Sequence, residues 1–370
     1  LISGREEVAM KRKRIAVLTS GGDGPGLNAA IRAVVKTAIN NYGYEVIGFR
    51  DGYKGLVENR FNKLKLPDVS GLLDKGGTIL GTTNRYDPFN VVPPGKGNES
   101  GTDMSDRITE NLAMHEIDCL VVIGGSATIS YAAKLAEKGI PIVAIPKTVE
   151  NDVYGTDITV GFMTAVNTAT EAIDKLHSTA ESNHRVMILE VMGRISGWIA
   201  LESGIAGGAD VILIPEIPYD INKVARAIFE RKNAGKGFSI IVAAAGAGAR
   251  LRSEAEKNST ADNTGFYHEG ECSHLGTELE KLTSIEHRIT VLGYLQRGGE
   301  PCPYDRILAT RFGTSAVKMV EKGEYNRMVC IKNQQVRSVP LDEAAGKARV
   351  VSESEELVRI ARDMGVSFGD

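Results

Sequence analysis

The sequence predicts an α/β protein in which largely parallel sheets are covered by helices. Short apolar runs alternate with longer helical stretches along most of the chain, and the turns from run to helix are rich in glycine. The length of 370 residues, with 42% hydrophobic and 25% charged side chains, suits two globular domains of ordinary size.

Residues 14–19 read as a buried strand, 21–26 as a glycine loop and 27–40 as a helix rich in Ala, Ile and Val. The pattern returns in 119–123, a strand before Gly124-Gly125 and a helix near 129–138, and 140–145 is the next strand. Residues 185–191 form another strand, followed by Met192-Gly193-Arg194 and a helix carrying Trp198. Two short apolar runs, 211–214 and 239–242, flank a helical stretch at 222–232. Such an order places ligands at the carboxyl ends of the strands. Residues 90–105 and 248–276 lack apolar spacing and read as surface loops, the second either a lid or a tolerated insertion. No strict internal repeat is present.

Charge and composition exclude several classes. A net charge of −3 offers no global field for nucleic acid. No apolar run approaches a membrane span. Cys119, Cys272, Cys302 and Cys330 are too scattered for a metal knuckle, so they read as unpaired thiols of a cytoplasmic protein. Residues 1–13 form an N-terminal extension in which 1–8 lack the apolar core of a signal peptide, and Met10 before Lys11-Arg12-Lys13-Arg14 reads as a start.

Two loops carry the chemistry. Thr19-Ser20-Gly21-Gly22-Asp23-Gly24-Pro25-Gly26-Leu27-Asn28 joins a strand to a helix, so its backbone N–H groups and the helix dipole suit phosphate. It has neither the Gly-Lys-Ser/Thr ending of a Walker loop nor a dinucleotide fingerprint, and a plain tight turn is the alternative. Thr148-Val149-Glu150-Asn151-Asp152 follows a strand and sets two acids two residues apart.

This second stretch resembles the Thr-Ile-Asp-Asn-Asp signature of the 6-phosphofructokinase family. The resemblance extends from about Lys13 to about Lys347 and includes Gly76-Gly77-Thr78-Ile79-Leu80-Gly81-Thr82-Thr83-Asn84-Arg85, Glu190-Val191-Met192-Gly193-Arg194, Ile214-Pro215-Glu216 and Val291-Leu292-Gly293-Tyr294-Leu295-Gln296-Arg297-Gly298-Gly299. It implies two Rossmann-like lobes, each a mostly parallel sheet covered by helices. The donor lobe would span 14–161, completed by 296–345. The sugar-phosphate lobe would span 162–295, completed by 346–370.

The implied reaction is Mg²⁺-dependent phosphoryl transfer from ATP, or alternatively pyrophosphate, to the 1-hydroxyl of fructose 6-phosphate. Pro146-Lys147 resembles the branch that contains both donor types, which leaves the donor open. By resemblance, Glu150 is the base, with Thr148, Asp152 and Arg194 around the reaction. Gly22, Arg85, Gly125, Ser126, Ala127, Thr128 and Lys147 match the donor side, where a guanidinium grips phosphate bidentately. Arg185, Met192, Gly193, Arg288, Tyr294 and Arg297 match the sugar-phosphate side. Some family arginines come from a neighbouring subunit, so a homotetramer or homodimer is implied.

The metal would be held weakly by Ser126, and by Asp152 or Asp23 through water. Asp23 and Asp152 have turn capping as their alternative role. Arg32 and Lys36, four apart on one helix face, match with Arg60, Asp210 and Lys236 an effector site for a nucleoside diphosphate or phosphoenolpyruvate. A solvated basic face is the alternative there.

Five positions depart from the family pattern. Ser126 and Ala127 stand where Asp and Gly are usual, so a neutral hydroxyl replaces a carboxylate ligand and a methyl narrows the phosphate approach. Glu150 replaces Asp, and its extra methylene moves the base by about 1 Å, a shift that can cost about 100-fold. Ala245 stands where an acid usually accepts sugar hydroxyls, and Tyr294 replaces His while keeping a hydroxyl. Two hypotheses follow: an active phosphotransferase, and a regulatory or binding subunit that kept its phosphate sites.

Overall fold

The computed structural model describes residues 12–84, 86–92, 101–248 and 272–370. Its strands are β1 (Arg14–Thr19), β2 (Glu45–Phe49), β3 (Phe61–Leu64), β4 (Cys119–Gly124), β5 (Ile142–Pro146), β6 (Val186–Val191), β7 (Val211–Leu213), β8 (Ser239–Ala244), β9 (His287–Val291), β10 (Arg327–Lys332) and β11 (Gln335–Pro340). They form a seven-stranded sheet in the order β11-β10-β5-β4-β1-β2-β3 and a four-stranded sheet in the order β7-β8-β6-β9. The fold is therefore the α/β type expected from the alternating pattern.

The central strands of the large sheet run parallel, with Ile15 beside Cys119 and Val46, and Leu120 beside Ile142. Antiparallel pairing is confined to its two edges, β2 with β3 and β10 with β11. The β10–β11 hairpin turns on Asn333 and Gln334, both in the left-handed region that two-residue hairpin turns favour. All pairs in the small sheet are parallel.

Both faces of each sheet are covered, which explains strands that read as unbroken apolar runs. Ile15, Val17, Val121, Ile123, Val143 and Ile145 pack on one side of the large sheet, while Ala16, Leu18, Leu120, Val122, Ile142 and Ala144 pack on the other. This is the two-residue period of a strand. In the small sheet Met187, Leu189, Ile240 and Val242 oppose Val186, Ile188, Ile241 and Ala243.

Helix Leu27–Tyr42 lies against helix Pro303–Lys322, so the chain returns to the first lobe after building the second. A Cβ on Gly313 would stand 2.6 Å from the Ala33 methyl, and only glycine permits that approach. The last helix, Glu356–Asp363, contacts helix Trp198–Ala206 beside the small sheet.

The helices at 27–42, 126–137 and 221–233 extend or begin earlier than the sequence pattern suggested. The 248–276 loop is corrected at its far end, because helix Ser273–Thr283 begins there with Leu275 and Leu279 buried. Its centre lies outside the described residues. Among the described residues the four cysteines form no disulfide, and no helix is long and apolar enough to cross a membrane.

Candidate active site

Strands β5, β4 and β1 are neighbours, so the loops leaving their carboxyl ends lie side by side. The first glycine loop is tied to its surroundings by Gly21 N donating to Thr83 O at 3.0 Å and Thr82 Oγ1 donating to Gly21 O at 2.6 Å. Thr128, in the first turn of helix Ser126–Glu137, fills the space between the two glycine loops. A Cβ on Gly124 would stand 2.5 Å from its methyl, and one on Gly21 would stand 3.2 Å from its Oγ1.

Lys147 is only 3% exposed, and its ammonium donates to Gly22 O. Burial lowers its pKa to about 8, helped by the Arg297 charge and opposed by Asp23 and Asp152. Arg297 reaches the same loop from the other side, since a Cβ on Gly22 would stand 2.3 Å from Nη1. The Arg297 Nε is buried without a partner, and the guanidinium lies 5.5 Å from the ring of the half-exposed Tyr294. A lysine and an arginine thus converge on one glycine loop.

The acid loop is shaped by Asn151, which is buried with φ 53°. Left-handed backbone at an asparagine is tolerated when its side chain is well bonded. Here Oδ1 accepts Thr159 N at 3.0 Å and Nδ2 donates to Asp157 O at 3.3 Å, while Thr159 Oγ1 donates to Thr148 O at 2.8 Å. Thr148 Oγ1 in turn accepts Glu150 N at 3.2 Å. The two acids therefore flank a braced reversal.

Across the cleft, Arg194 N donates to Glu150 Oε2 at 3.3 Å and Ser196 Oγ donates to Glu150 O at 3.0 Å. The Glu150 carboxyl is pushed up to about 7 by burial and by the Asp152 charge, against the pull of the Arg194 N–H and of Arg297 and Arg194. Asp152 is also raised by burial, with the Thr148 hydroxyl, Lys147 and Arg297 pulling it back. Its Oδ1 is buried without a partner.

The small sheet supplies the facing wall. Gly193, at φ 140°, allows β6 to turn sharply, and a Cβ there would stand 2.5 Å from Ser196 O. Gly193 O accepts Gly246 N at 2.9 Å, and the buried Met192 donates its N–H to Gln296 Oε1 at 3.2 Å. Ala245 is buried at the start of the short helix Ala245–Gly248 and presents no polar side-chain atom. Arg194 is exposed, as are Asp23 and Ala127. Arg85 lies outside the described residues.

Other residues stand apart within one chain. Arg185 precedes β6 and Arg288 lies at the start of β9. The Met192-Gly193-Arg194 turn leaves the other end of β6, a strand's length of about 20 Å away. Arg185 pairs with Glu286 at 2.6 Å, and Arg288 also pairs with Glu286. The effector set is likewise divided: Arg32, Lys36 and Arg60 lie in the large lobe, Asp210 and Lys236 at the entry to β7 and β8. Arg60 pairs with Asp51 and Glu58 at 2.5 and 2.7 Å, and Asp210 pairs with Arg231 at 2.7 Å. None of these five groups bonds another of the set among the described residues.

Sequence reasoning did not single out Asn151, Ser196 or Gln296 as site residues. Asn151 and Gln296 stood within quoted motifs, whereas Ser196 carried no signal beyond its nearness to Arg194.

Among the described residues no group of three or more His, Cys, Asp or Glu side chains forms a metal cage. The oxygens on offer are the bare Asp152 Oδ1 and the Glu150 carboxylate. Such a sparse set fits a Mg²⁺ that keeps several waters and takes its remaining ligands from substrate phosphates. Ser126 Oγ donates to Asp152 O at 3.4 Å, and as a neutral hydroxyl it is a weaker ligand for a hard cation than a carboxylate.

Glycine loops, a buried lysine, a half-buried arginine and two neighbouring acids, set where the two sheets meet, define an α/β protein built to handle phosphates. The chain belongs to the phosphofructokinase family, whose pattern it matches over residues 14–320. It is 48% identical over 361 residues to ATP-dependent 6-phosphofructokinase 2 of Clostridium perfringens, covering 97% of this chain and 99% of that one. It is 47% identical to the ATP-dependent 6-phosphofructokinase of Spirochaeta thermophila, covering 98% of this chain and all of that one. Among solved structures it resembles Pichia pastoris phosphofructokinase in the T-state, with TM-score 0.77 and 32% identity over 90% of this chain, and spans 35% of that longer chain.

Proposed function

We infer that the chain transfers the γ-phosphoryl group of ATP to the 1-hydroxyl of fructose 6-phosphate, giving fructose 1,6-bisphosphate and ADP, a step of glycolysis. One observation carries this reading: Glu150, raised by burial beside Asp152, faces the Arg194 turn within reach of the charges of Arg297 and Arg194, while Lys147 acts on Asp152. A carboxylate with its pKa near neutrality is suited to accept the hydroxyl proton as the sugar oxygen bonds to phosphorus and the bond to ADP breaks.

Lys147, Arg297 and the backbone of the two glycine loops stabilise charge on the transferring and leaving oxygens. That electrostatic positioning is the larger part of phosphoryl-transfer catalysis. A Mg²⁺ held by Asp152, with Glu150 or Asp23 contributing through water, would neutralise phosphate charge when bound. Residues 14–161 with 296–345 hold the donor, and 162–295 with 346–370 hold the sugar phosphate. The separation of Arg185 and Arg288 from the cleft supports a site completed by the neighbouring subunit of a homotetramer or homodimer, acting in the cytoplasm. Pyrophosphate is the alternative donor, consistent with the buried Lys147.

Incubation of the purified chain with fructose 6-phosphate, Mg²⁺ and either ATP or pyrophosphate tests the assignment. Formation of the bisphosphate with ATP is expected, and its absence with both donors overturns the reading.

The neutral Ser126 hydroxyl beside Asp152 and the apolar Ala245 favour a second reading, a phosphate-binding regulatory subunit. Loss of all activity with retained ATP binding, unrescued by Ser126→Asp with Glu150→Asp, would select it.

A further inference from the structure

A carboxylate outside the reaction ties together the two segments that clasp the acid loop. Glu216 follows β7, and its Oε1 accepts N–H groups from Gly197 at 2.9 Å and Val351 at 2.8 Å. Its Oε2 is buried without a partner, and a Cβ on Gly197 would stand 3.0 Å from that oxygen. The carboxyl group is thus set hard against the Gly197 backbone.

Each of its two partners leads to the acid loop. Just before Gly197, Arg194 N and Ser196 Oγ bond the Glu150 carboxylate and carbonyl at 3.3 and 3.0 Å. Just before Val351, Arg349 N donates to Asp152 O at 2.9 Å, and its guanidinium reaches Asn151 O at 3.4 Å. Val153 and Ala348 add an antiparallel bridge. Trp198, the single tryptophan of the chain, donates from Nε1 to Arg349 O at 3.2 Å and stacks its ring 3.7 Å from the Arg349 guanidinium. The loop is held from both sides, and Glu216 bonds both holds.

We propose that Glu216 is a positioning residue for phosphoryl transfer, locking the 194–197 and 349–351 segments together so that the Glu150 carboxylate stands where the reaction needs it. This rests on Glu150 being the base. The leverage is geometric, since a displacement of about 1 Å at a reacting group can lower the rate about 100-fold.

The test uses the full chain with Glu216→Ala, Glu216→Gln and Ser196→Ala. Three readouts are taken: amide hydrogen exchange across residues 148–153 without substrate, Trp198 emission, and kcat set against KM for fructose 6-phosphate. Glu216→Ala is expected to speed exchange, shift the emission to the red and lower kcat about 100-fold with KM little changed.

Glu216→Gln keeps a carbonyl oxygen able to accept both bonds, so it recovers the parental exchange and emission and most of the lost rate. Ser196→Ala removes one hydroxyl without a cavity of any size and is expected to lower kcat by less than Glu216→Ala, again with KM little changed. Parental exchange and an unchanged kcat in Glu216→Ala, or a Gln variant no better than Ala, would overturn the proposal. If Glu216→Ala does not fold, the Gln and Ser196 variants decide it. Should the parent turn over no sugar phosphate, the functional reading fails, while exchange and emission still report whether Glu216 holds the loop.

Discussion

The backbone N–H of Arg194 meets the carboxylate of Glu150 at 3.3 Å, so an acid that follows the large sheet is seated by a turn that leaves the small one. Glu150→Gln preserves an acceptor for that N–H and removes the base. It is expected to lower kcat by about 10²–10⁴-fold. Stability need not fall with it. Because burial raises the folded pKa of Glu150 above its unfolded value, ionisation disfavours folding above the unfolded value, and the neutral amide removes that penalty. The melting temperature at pH 8 should therefore hold or rise, and turnover within a few-fold of the parent would show that another group takes the proton.

A second expectation concerns pH. The base must be ionised, so kcat/KM falls as pH drops through about 7, where Glu150 gains its proton. Lys147 must be charged to attract phosphate, and its lowered pKa of about 8 makes kcat/KM for ATP fall as pH rises through that value. A narrow bell between these limbs is expected for the free enzyme. Lys147→Met should abolish the alkaline limb along with most donor affinity; a profile flat from pH 6 to 9 contradicts both assignments.

Gly22 gives a third. A methyl there would stand 2.3 Å from Arg297 Nη1, the mobile end of a long side chain, so the guanidinium must swing aside rather than the backbone distort. Gly22→Ala should therefore cost less than about 1 kcal/mol in stability, yet raise KM for at least one phosphate-bearing substrate by about tenfold or more, as expected for a lost charge-assisted contact. Thermal melting and steady-state kinetics measured together check it. A large drop in melting temperature with unchanged KM would mean that Gly22 serves the turn alone.

Much of this was legible in the chain itself. Unbroken apolar runs such as Cys119–Gly124 announced strands buried on both faces, and the glycines after β1 and β4 marked the turns that bring phosphate-binding backbone to one edge. The acids at 150 and 152 were legible as a pair. Their environment was not, because it comes from residues distant in sequence: Arg194 and Ser196 across the cleft, Arg349 near the end of the chain, and Glu216, which stood in a recognised motif without a visible role. Periodicity reports which face of an element is buried, whereas a loop's bracing depends on backbone N–H groups that any residue can supply. Arg349 therefore left no pattern to read.

The last expectation concerns completeness of the site. Arg185 enters β6 at one end, while Gly193 and Arg194 leave at the other, so no local movement brings Arg185 to Glu150 within one chain. If Arg185 and Arg288 grip the sugar 6-phosphate, they do so in a neighbouring copy. Arg185→Ala should then raise KM for fructose 6-phosphate by about 10²-fold, as expected for the loss of a bidentate phosphate contact, with KM for ATP little changed. More decisively, Arg185→Ala and Glu150→Gln chains, each nearly inactive, should regain activity when unfolded together and reassembled. In such hybrids one site pairs an intact Glu150 with an intact Arg185 from its neighbour. Two defects within a single self-contained site could never complement, so an inactive mixture that contains hybrid oligomers by mass would place the sugar-phosphate grip elsewhere, with Arg297 the remaining arginine of the sugar-phosphate set.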